Sequence, residues 1–562
     1  MNIIKDIPPV LSKNTWVALD LEIFNLNSKQ MHRPTSGNFA CLTVCFDPET
    51  VYLVNKPEMV GAVISNIQEG IWIFHHAKFD ITHLRRWANI PPRKKIWDTL
   101  LIERILWNDY YTGLGLDDLA RRYLDIKLDK SLQSSFEDAS EMTPEQEQYA
   151  AMDCVTTLLC QKKQFKLMDK GDFIIWSVID RPALWAFLDF QGFIINPDEW
   201  KDLAEKNKAK SKAVDELLSF NPRSYKVVKE QLLNTGFMKL PDTEEKTLVQ
   251  WMKKFPDTEA FRLAELVLES RKYSKRASTY GMNWIEKFIE YDPTLDVHFV
   301  VGDYSVTGAG TGRTACSDPN MTNVPSRDTK DFRKCFKARP GNKLLIADYS
   351  QQEIGIIAFL SQDEKMIAMF NSGGDAYINM AKVMYGKVID KNDPLRRTMK
   401  DMMLGFDYGM SLDTMAERGG ISEEEAAQVM LDLEKAFPDL KNWMEKQKKL
   451  KKQTKTIMGR KAHLNPYSGQ CERNALNNPV QGSAADMLKM AIGKMHETWS
   501  FPFPFAMVEE VHDEIGMDVP EEFVNSISAF MKECMISVAN KMCPGMLFNA
   551  DVTICDTWAD KE

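Results

Sequence analysis

Carboxylates set the chemical expectations for this chain. An apolar run at residues 344–347 ends in Asp348, and residues 508–511 and 515–519 flank the pair His512-Asp513, with Glu514 beside it. Nearer the N-terminus, Asp20 and Glu22 stand two apart, Asp80 follows Phe79, and Tyr149 and Asp153 stand four apart. Acids distant in sequence that meet in space can share divalent cations, and two such cations stabilise both the entering and the leaving oxygen of a phosphodiester. Without cations, clustered carboxylates repel one another and raise each other's pKa. Phosphoryl transfer is therefore the chemistry to look for.

Each acid needs an element that aims it. Residues 344–347 read as a buried strand that gives way to a helix after Ser350, and the segments around Asp513 read as a β-hairpin with that residue at or near its tip. Residues 15–22 read as a strand, so Asp20 and Glu22 project to one face. A second strand at 71–74 runs into a helical pattern through Leu84 and Trp87. A helix opening at Thr143-Pro144-Glu145 puts Tyr149 and Asp153 on one side. Any one of these pairs is as readily a surface accident; four acids and a tyrosine together are the stronger signal. Another helix starts with Asp393 as cap and Pro394 in its first turn, and along it Arg396, Lys400, Leu404 and Tyr408 recur every four residues. Two cations followed by apolar and aromatic side chains suit a nucleotide lying along the helix, triphosphate against the cations and sugar and base beyond. Ser350-Gln351-Gln352-Glu353 also fits a capping box, which would give Glu353 a purely local role.

At 562 residues the chain exceeds a single core and should form several domains. It has 44% hydrophobic and 27% charged residues, no apolar run of about 18 residues, and no signal-peptide pattern at its start, which points to a cytoplasmic protein without a membrane span. Ten cysteines without a CxxC pair or zinc-type spacing point to reduced thiols. The net charge of −9 argues at first against a nucleic-acid partner, but the charge is uneven. Arg271, Lys272, Lys275 and Arg276 form one basic cluster, and Lys446, Lys448, Lys449, Lys451, Lys452, Lys455, Arg460 and Lys461 form another. Such runs are more often solvated helix faces, so they support phosphate binding without establishing it. Residues 200–300 read as amphipathic helices broken at Asn221-Pro222 and Leu240-Pro241-Asp242, and a helix begins at Ser483.

The set Asp20-x-Glu22, Phe79-Asp80 and Tyr149-x-x-x-Asp153 resembles the three motifs of the DEDD-type 3′–5′ exonucleases in their tyrosine variant. That resemblance implies that Asp20, Glu22, Asp80 and Asp153 hold two magnesium or manganese ions and that Tyr149 orients the attacking water. His76 departs from it, standing where the family usually has asparagine. Residues 311–325, Thr-Gly-Arg-Thr-Ala-Cys-Ser-Asp-Pro-Asn-Met-Thr-Asn-Val-Pro, resemble the family A DNA polymerases, the group of bacterial polymerase I and many phage replicases. This resemblance implies that Asp348 and Asp513 are metal-binding catalytic acids, with His512 and Glu514 supporting them. It implies that the helix from Pro394 is a mobile fingers helix in which Gly405 and Gly409 also match, and that Glu353 blocks a ribose 2′-OH, with Gln351 in the nucleotide pocket. Arg313, Asn323, Arg333, Arg473, Asn477 and Gln481 then lie along template and primer, and Lys275 belongs to a thumb that grips duplex phosphates. Leu404 departs from the phenylalanine or tyrosine common in the family, which leads us to expect unusual handling of dideoxynucleotides.

The sequence thus reads as a multidomain α/β and α+β protein, an RNase H-like exonuclease domain followed by a right-hand polymerase of palm, fingers and thumb. Expected boundaries are 1–170 for the exonuclease, 171–200 for a connection, 201–300 for the thumb, 301–375 for the first part of the palm, 376–480 for the fingers and 481–562 for the second part of the palm. The expected activity is template-directed DNA synthesis with 3′–5′ proofreading. It would use deoxynucleoside triphosphates, primer-template DNA and two magnesium ions per site, with manganese as the alternative. A monomer is expected, with unidentified replication proteins as partners. Too few residues precede Asp20 for a 5′ nuclease domain, which suggests a phage-type replicase. The rivals are a DNA-binding 3′–5′ exonuclease with a non-catalytic polymerase-like half, a non-enzymatic scaffold and a single-subunit RNA polymerase. Intact acids at 348 and 513 and the cationic helix face count against the first, and two sets of metal-binding acids against the second. Glu353 and the exonuclease set count against the third.

Overall fold

Apolar residues on both faces build the first sheet. The strand Trp16–Phe24 buries Val17, Ala18, Leu19, Leu21 and Ile23, and it sits inside a six-stranded sheet. Across that sheet the order is Asn2–Ile4, Thr50–Val54, Asn38–Asp47, Trp16–Phe24, Ile71–Phe74 and Ile96–Asp98. Trp16–Phe24 runs antiparallel to Asn38–Asp47, with Asp20 opposite Thr43 and Glu22 opposite Cys41, and parallel to Ile71–Phe74. The helix Pro144–Leu167 covers one face of this sheet; Thr143 and Gln146 close a capping box at its start, and Cys154 donates from Sγ to the carbonyl of Ala18. The computed structural model describes residues 1–26, 36–108, 110–137, 139–326, 329–407, 409–511 and 513–561.

The chain divides into two compact units. The first comprises residues 1–191, 302–322 and 345–553. Besides the six-stranded sheet it carries a four-stranded one, ordered Met507–Val511, Glu514–Pro520, Asn342–Tyr349 and Ala550–Cys555. Met507–Val511 and Glu514–Pro520 form the expected hairpin, closed at the pair Val511 and Glu514. The helix Cys471–Glu497, packed on the helices Arg181–Leu188, Gln352–Ser361 and Val524–Met542, starts twelve residues before the expected Ser483. Pro479 lies inside it instead of breaking it, and the Ser483 hydroxyl donates to the Pro479 carbonyl at 2.5 Å. The helices Pro394–Asp407, Leu412–Gly419, Glu423–Ala436 and Pro438–Lys448 precede it.

A charged cluster is buried in this unit. Arg460 donates Nη1 and Nη2 to Asp180 at 2.9 and 2.7 Å and Nε to Asp486 at 2.7 Å. Lys489 donates to Asp180 at 2.7 Å and to the carbonyl of Gly312 at 2.9 Å. Two carboxylates and two cations balance, as buried charges must. Lys461 is held by Asp172 at 2.8 Å and Asp169 at 2.9 Å. Arg460 and Lys461, read above as part of a basic run for phosphates, are thus structural ion pairs.

The second unit comprises residues 192–301, 323–344 and 554–562. Its helices Pro197–Glu216, Tyr225–Asn234, Glu245–Lys254, Glu259–Thr279 and Met282–Phe288 are separated at the expected Asn221-Pro222 and Leu240-Pro241 breaks. A small sheet includes Phe193–Ile195 and Val297–Val300, and the fully buried Trp200 stacks on Trp284 at 4.0 Å. Arg271 is a further correction to the basic clusters, because its guanidinium donates to the carbonyls of Pro222 and Thr243. All ten cysteines are buried free thiols. Among the described residues no helix is long and apolar enough to cross a membrane.

Candidate active sites

The N-terminal acids line one cavity of about 620 Å³. Asp20 and Glu22 enter it from the strand Trp16–Phe24, Asp80 from the helix Ala77–Leu84, and Tyr149 and Asp153 from the helix Pro144–Leu167. Asp80 accepts the backbone N–H of Leu21 at 3.2 Å, which ties the second acid-bearing element to the first. Lys130 donates to Asp153 at 2.7 Å and to the Tyr149 hydroxyl at 3.1 Å. Burial, and then Asp153, push the Asp20 carboxyl up to about 7. Burial, followed by Asp20, also raises the carboxyls of Glu22 and Asp80 well above the usual range, and burial raises Asp153 against the pull of Lys130. The phenol of Tyr149 is held neutral by burial and by Asp153. Oδ2 of Asp20 is buried without a hydrogen-bond partner.

His76, the departure noted in the sequence, has a left-handed backbone with φ 77°. Asp98 holds that turn by accepting the N–H groups of His76 at 3.2 Å and Ala77 at 2.8 Å. Both histidines before the helix face the cavity, and burial lowers each; His75 falls to about 3.

Asp348 is the second-last residue of Asn342–Tyr349, and Asp513 immediately precedes Glu514–Pro520, the strand hydrogen-bonded to it. The sheet therefore seats Asp348 on one strand and Asp513 at the entry to its neighbour. Glu510 is fully enclosed nearby and accepts the Thr314 hydroxyl at 2.5 Å. Burial pushes its carboxyl up to about 7, with Asp513 adding to the rise. Arg313, next to Thr314, pairs with Glu353 at 3.2 Å. No capping box forms at Ser350. Gln351 adopts φ 56°, so the helix starts only at Gln352, and Ser350 turns to Asp551 at 2.7 Å. Gln351 instead spans a loop, donating to Gly374 at 2.9 Å and accepting from Ala376 at 2.5 Å.

The helix Pro394–Asp407 opens as expected, with Asp393 accepting the N–H of Leu395 at 2.8 Å. Arg396 is gripped by Asp375 through Nε at 2.7 Å and Nη2 at 2.5 Å, while Lys400 is exposed. The side chain of Leu404, and Tyr408 and His512 entirely, lie outside the described residues. Arg473, Asn477 and Gln481 occupy successive turns of Cys471–Glu497, the first exposed and the others half-buried. Lys275, Asn323 and Arg333 belong to the second unit. There Lys275 is exposed, the Asn323 carbonyl accepts the Tyr280 hydroxyl at 2.5 Å, and Arg333 lies 4.0 Å over the Trp558 ring.

Sequence reasoning missed Lys130, Asp98, Asp375 and Glu510. Asp98 and Asp375 carried a signal, each as an acid that caps the helix following it. Among the described residues no three His, Cys, Asp or Glu side chains are drawn into a closed metal-ligand set. The exonuclease-like acids nevertheless fit hard divalent cations: they are all oxygen donors, mutually repelling, partly buried, and one carboxylate oxygen lacks a partner.

Fold and sites together define a chain with two acid-bearing centres on separate sheets, one followed in sequence by a cation-bearing helix. Residues 198–560 match the family model for DNA polymerase family A and residues 4–168 that for a 3′–5′ exonuclease, so the chain belongs to DNA polymerase family A. The thermostable DNA polymerase I of Thermus filiformis is 33% identical over 49% of this chain and 34% of its own length. DNA polymerase I of Aquifex aeolicus is 25% identical over 93% of this chain and 94% of its own length. The chain spans about a third of the length of the first curated relatives it matches. The polymerase domain of Pol1 from M. smegmatis, solved with DNA primer-template and dNTP, shares the fold with a TM-score of 0.82 at 21% identity, covering 99% of each chain.

Proposed function

We propose that this chain is a template-directed DNA polymerase that extends a primer 3′ end with deoxynucleotides and removes misplaced ones with its own 3′–5′ exonuclease. The observation that carries the reading is the placement of Asp348 on one strand and Asp513 at the entry to the neighbouring one, in a chain whose polymerase family match spans 198–560. Asp348 and Asp513 would hold divalent cations at the synthetic site, and Asp20, Glu22, Asp80 and Asp153 at the editing site. Magnesium, once bound, activates the attacking oxygen and stabilises charge on the leaving one. Arg396 and Lys400 take the triphosphate, and Arg396 must first exchange Asp375 for it. Glu353 stands beside the sugar and keeps Arg313 in place for the primer. Tyr149, kept neutral by its surroundings, orients the attacking water in the editing cavity through its hydroxyl. Arg473, Asn477, Gln481, Asn323, Arg333 and Lys275 position template and primer. His512 and Glu514 support Asp513, and Gln351, Leu404 and Tyr408 complete the nucleotide pocket. The domain limits expected from the sequence belong to the same proposal.

Binding alone discriminates by only about 10- to 200-fold between similar substrates, so pairing synthesis with a hydrolytic second site makes physical sense. Primer extension with Mg²⁺ and deoxy or ribo substrates tests the reading, with Asp513→Ala and Asp153→Ala as controls. Extension lost only in the first and editing lost only in the second is expected; no extension by the parent would overturn it.

A further inference from the structure

Residues 107–108 and 110–115 lie between the helix Thr99–Trp107 and the helix Leu116–Leu124. The end of this segment reaches the editing cavity, whose wall includes Gly115, Leu116 and Asp117. At its start, Asn108 donates to the carbonyl of Gly310, in the loop that leads to Arg313. Between these two points the segment carries an aromatic cluster. Trp107 stacks on His463 at 5.8 Å, Tyr110 lies 5.2 Å from His463 and 4.8 Å from Tyr111, and Tyr111 meets Trp107 edge-on at 5.4 Å.

Packing accounts for half of this cluster. Trp107 donates Nε1 to the Tyr123 hydroxyl at 2.9 Å, and His463 donates Nε2 to the Leu106 carbonyl at 3.1 Å, joining the helix to the hairpin Gln453–Lys455 and Lys461–His463. Tyr110 and Tyr111 contribute less to the core: they are 59% and 37% exposed, Tyr110 the more open of the two because a guanidinium covers one face of Tyr111. A contiguous exposed aromatic patch marks a binding face, whereas isolated exposed rings do not. Positive charge accompanies it. Lys452 and Lys455 are exposed on the hairpin that carries His463, while the Arg122 guanidinium, 3.9 Å over the Tyr111 ring, is itself paired with Glu103.

We propose that Tyr110 and Tyr111 form a stacking platform for single-stranded DNA, which receives the unpaired 3′ strand on its way to the editing cavity. Exposed rings flanked by cations bind single strands because every unpaired base offers a π-face and every linkage a phosphate. Duplex DNA does not fit, since its bases are already stacked on each other. The platform deepens the editing role proposed above and rests on it.

The test uses the full chain as parent, Tyr110→Ala/Tyr111→Ala and Tyr110→Phe/Tyr111→Phe. Binding of 5′-fluorescein-labelled oligo-deoxythymidylate is read by anisotropy in EDTA, so that it does not depend on hydrolysis. The alanine pair should weaken binding by about 5- to 150-fold, the equivalent of the about 1–3 kcal/mol of one base–aromatic stack, and the phenylalanine pair should keep it. With Mg²⁺, the alanine pair should raise KM on single-stranded DNA and leave kcat unchanged. Hydrolysis of the p-nitrophenyl ester of thymidine 5′-monophosphate, too short to reach the platform, should be equal in all three and so confirms their folding. Equal oligonucleotide binding by all three overturns the platform. Failure of the parent to cleave the ester overturns the editing role instead, and the two failures are read in separate assays.

Discussion

Lys489→Met isolates the buried charge cluster. Asp180, Asp486, Arg460 and Lys489 are all at most 2% exposed and sum to zero, so the substitution leaves one uncompensated negative charge in a dry site. Breaking one partner out of such a cluster costs about 3–5 kcal/mol. The Gly312 carbonyl also loses its 2.9 Å donor, which brings the expected loss to the upper end of that range. In the parent, burial raises Asp180, but Arg460 and Lys489 overcome it and hold the carboxyl below its usual range. A depressed carboxylate contributes stability above its unfolded pKa and loses it as pH falls through the folded one. Without Lys489 the carboxyl moves upward, the native state takes up a proton more readily than the unfolded chain, and the penalty grows as pH rises. Urea unfolding followed by tryptophan fluorescence at pH 5 and pH 8 should therefore show a larger loss at pH 8. Lys489→Met/Asp180→Asn restores neutrality and should recover part of it, a coupling that a double-mutant cycle measures. Because Gly312 precedes Arg313, primer KM should rise in the single variant. A loss under about 1 kcal/mol at both pH values, or a double variant no more stable than the single, would refute the reasoning.

Asp20, pushed up to about 7 by burial and Asp153, binds its proton more tightly folded than unfolded. That stability is present below about pH 4 and is lost as pH rises through about 7, so Tm in EDTA should fall from pH 5 to pH 8. Asp20→Asn should flatten the fall, and Mg²⁺ should raise Tm more at pH 8 than at pH 5. Asp375→Asn frees Arg396 from a part-exposed ion pair and should lower the KM for deoxynucleotides by about fivefold in steady-state extension, the equivalent of about 1 kcal/mol; an unchanged KM would separate that pair from triphosphate binding. Glu353→Ala removes a part-exposed bridge to Arg313, so stability should change by less than about 1 kcal/mol. Ribonucleotide incorporation should rise at the same time, and unchanged discrimination would leave Glu353 only its hold on Arg313.

What was legible in the sequence followed from periodicity. Asp20 and Glu22 on alternate strand positions, and Tyr149 and Asp153 one helical turn apart, converge because those repeats fix direction before any tertiary contact. Patterns that depend on a single backbone angle were not legible. Ser350 and Glu353 have capping-box spacing, but the left-handed Gln351 moves the helix start by one residue and sends each side chain to a distant partner. The helix expected from Ser483 begins at Cys471 instead and carries Pro479 buried in its interior. Charge is the hardest to place. Lys455 and Arg460 stand in one basic run, but the first is exposed and the second is among the most buried side chains. Only the acids that fold against it decide between solvent and core. Lys130 was missed for the same reason, since it gains its meaning only from Asp153 and Tyr149 on another helix.

Those partners also explain how the two acid-bearing centres are tied together within one unit. Lys78 stands two residues before Asp80 on the helix Ala77–Leu84, and it donates to Asp303 at 2.5 Å and to the Tyr304 carbonyl at 2.6 Å. Asp303–Ser305 pairs with Ala315–Ser317, and the loop between them ends in Arg313 and Thr314. Lys489 fixes that loop from below through Gly312, and Thr314 meets Glu510 in the strand that leads to Asp513. The helix that carries Asp80 and the strand that leads to Asp513 are thus joined through a single hairpin by charged or charge-assisted hydrogen bonds. Such bonds are directional and are stronger where water is excluded, so they hold geometry better than apolar packing of equal area does. Fixing Arg313 and Asp80 to the same short hairpin makes the spacing between the two sites a property of local structure.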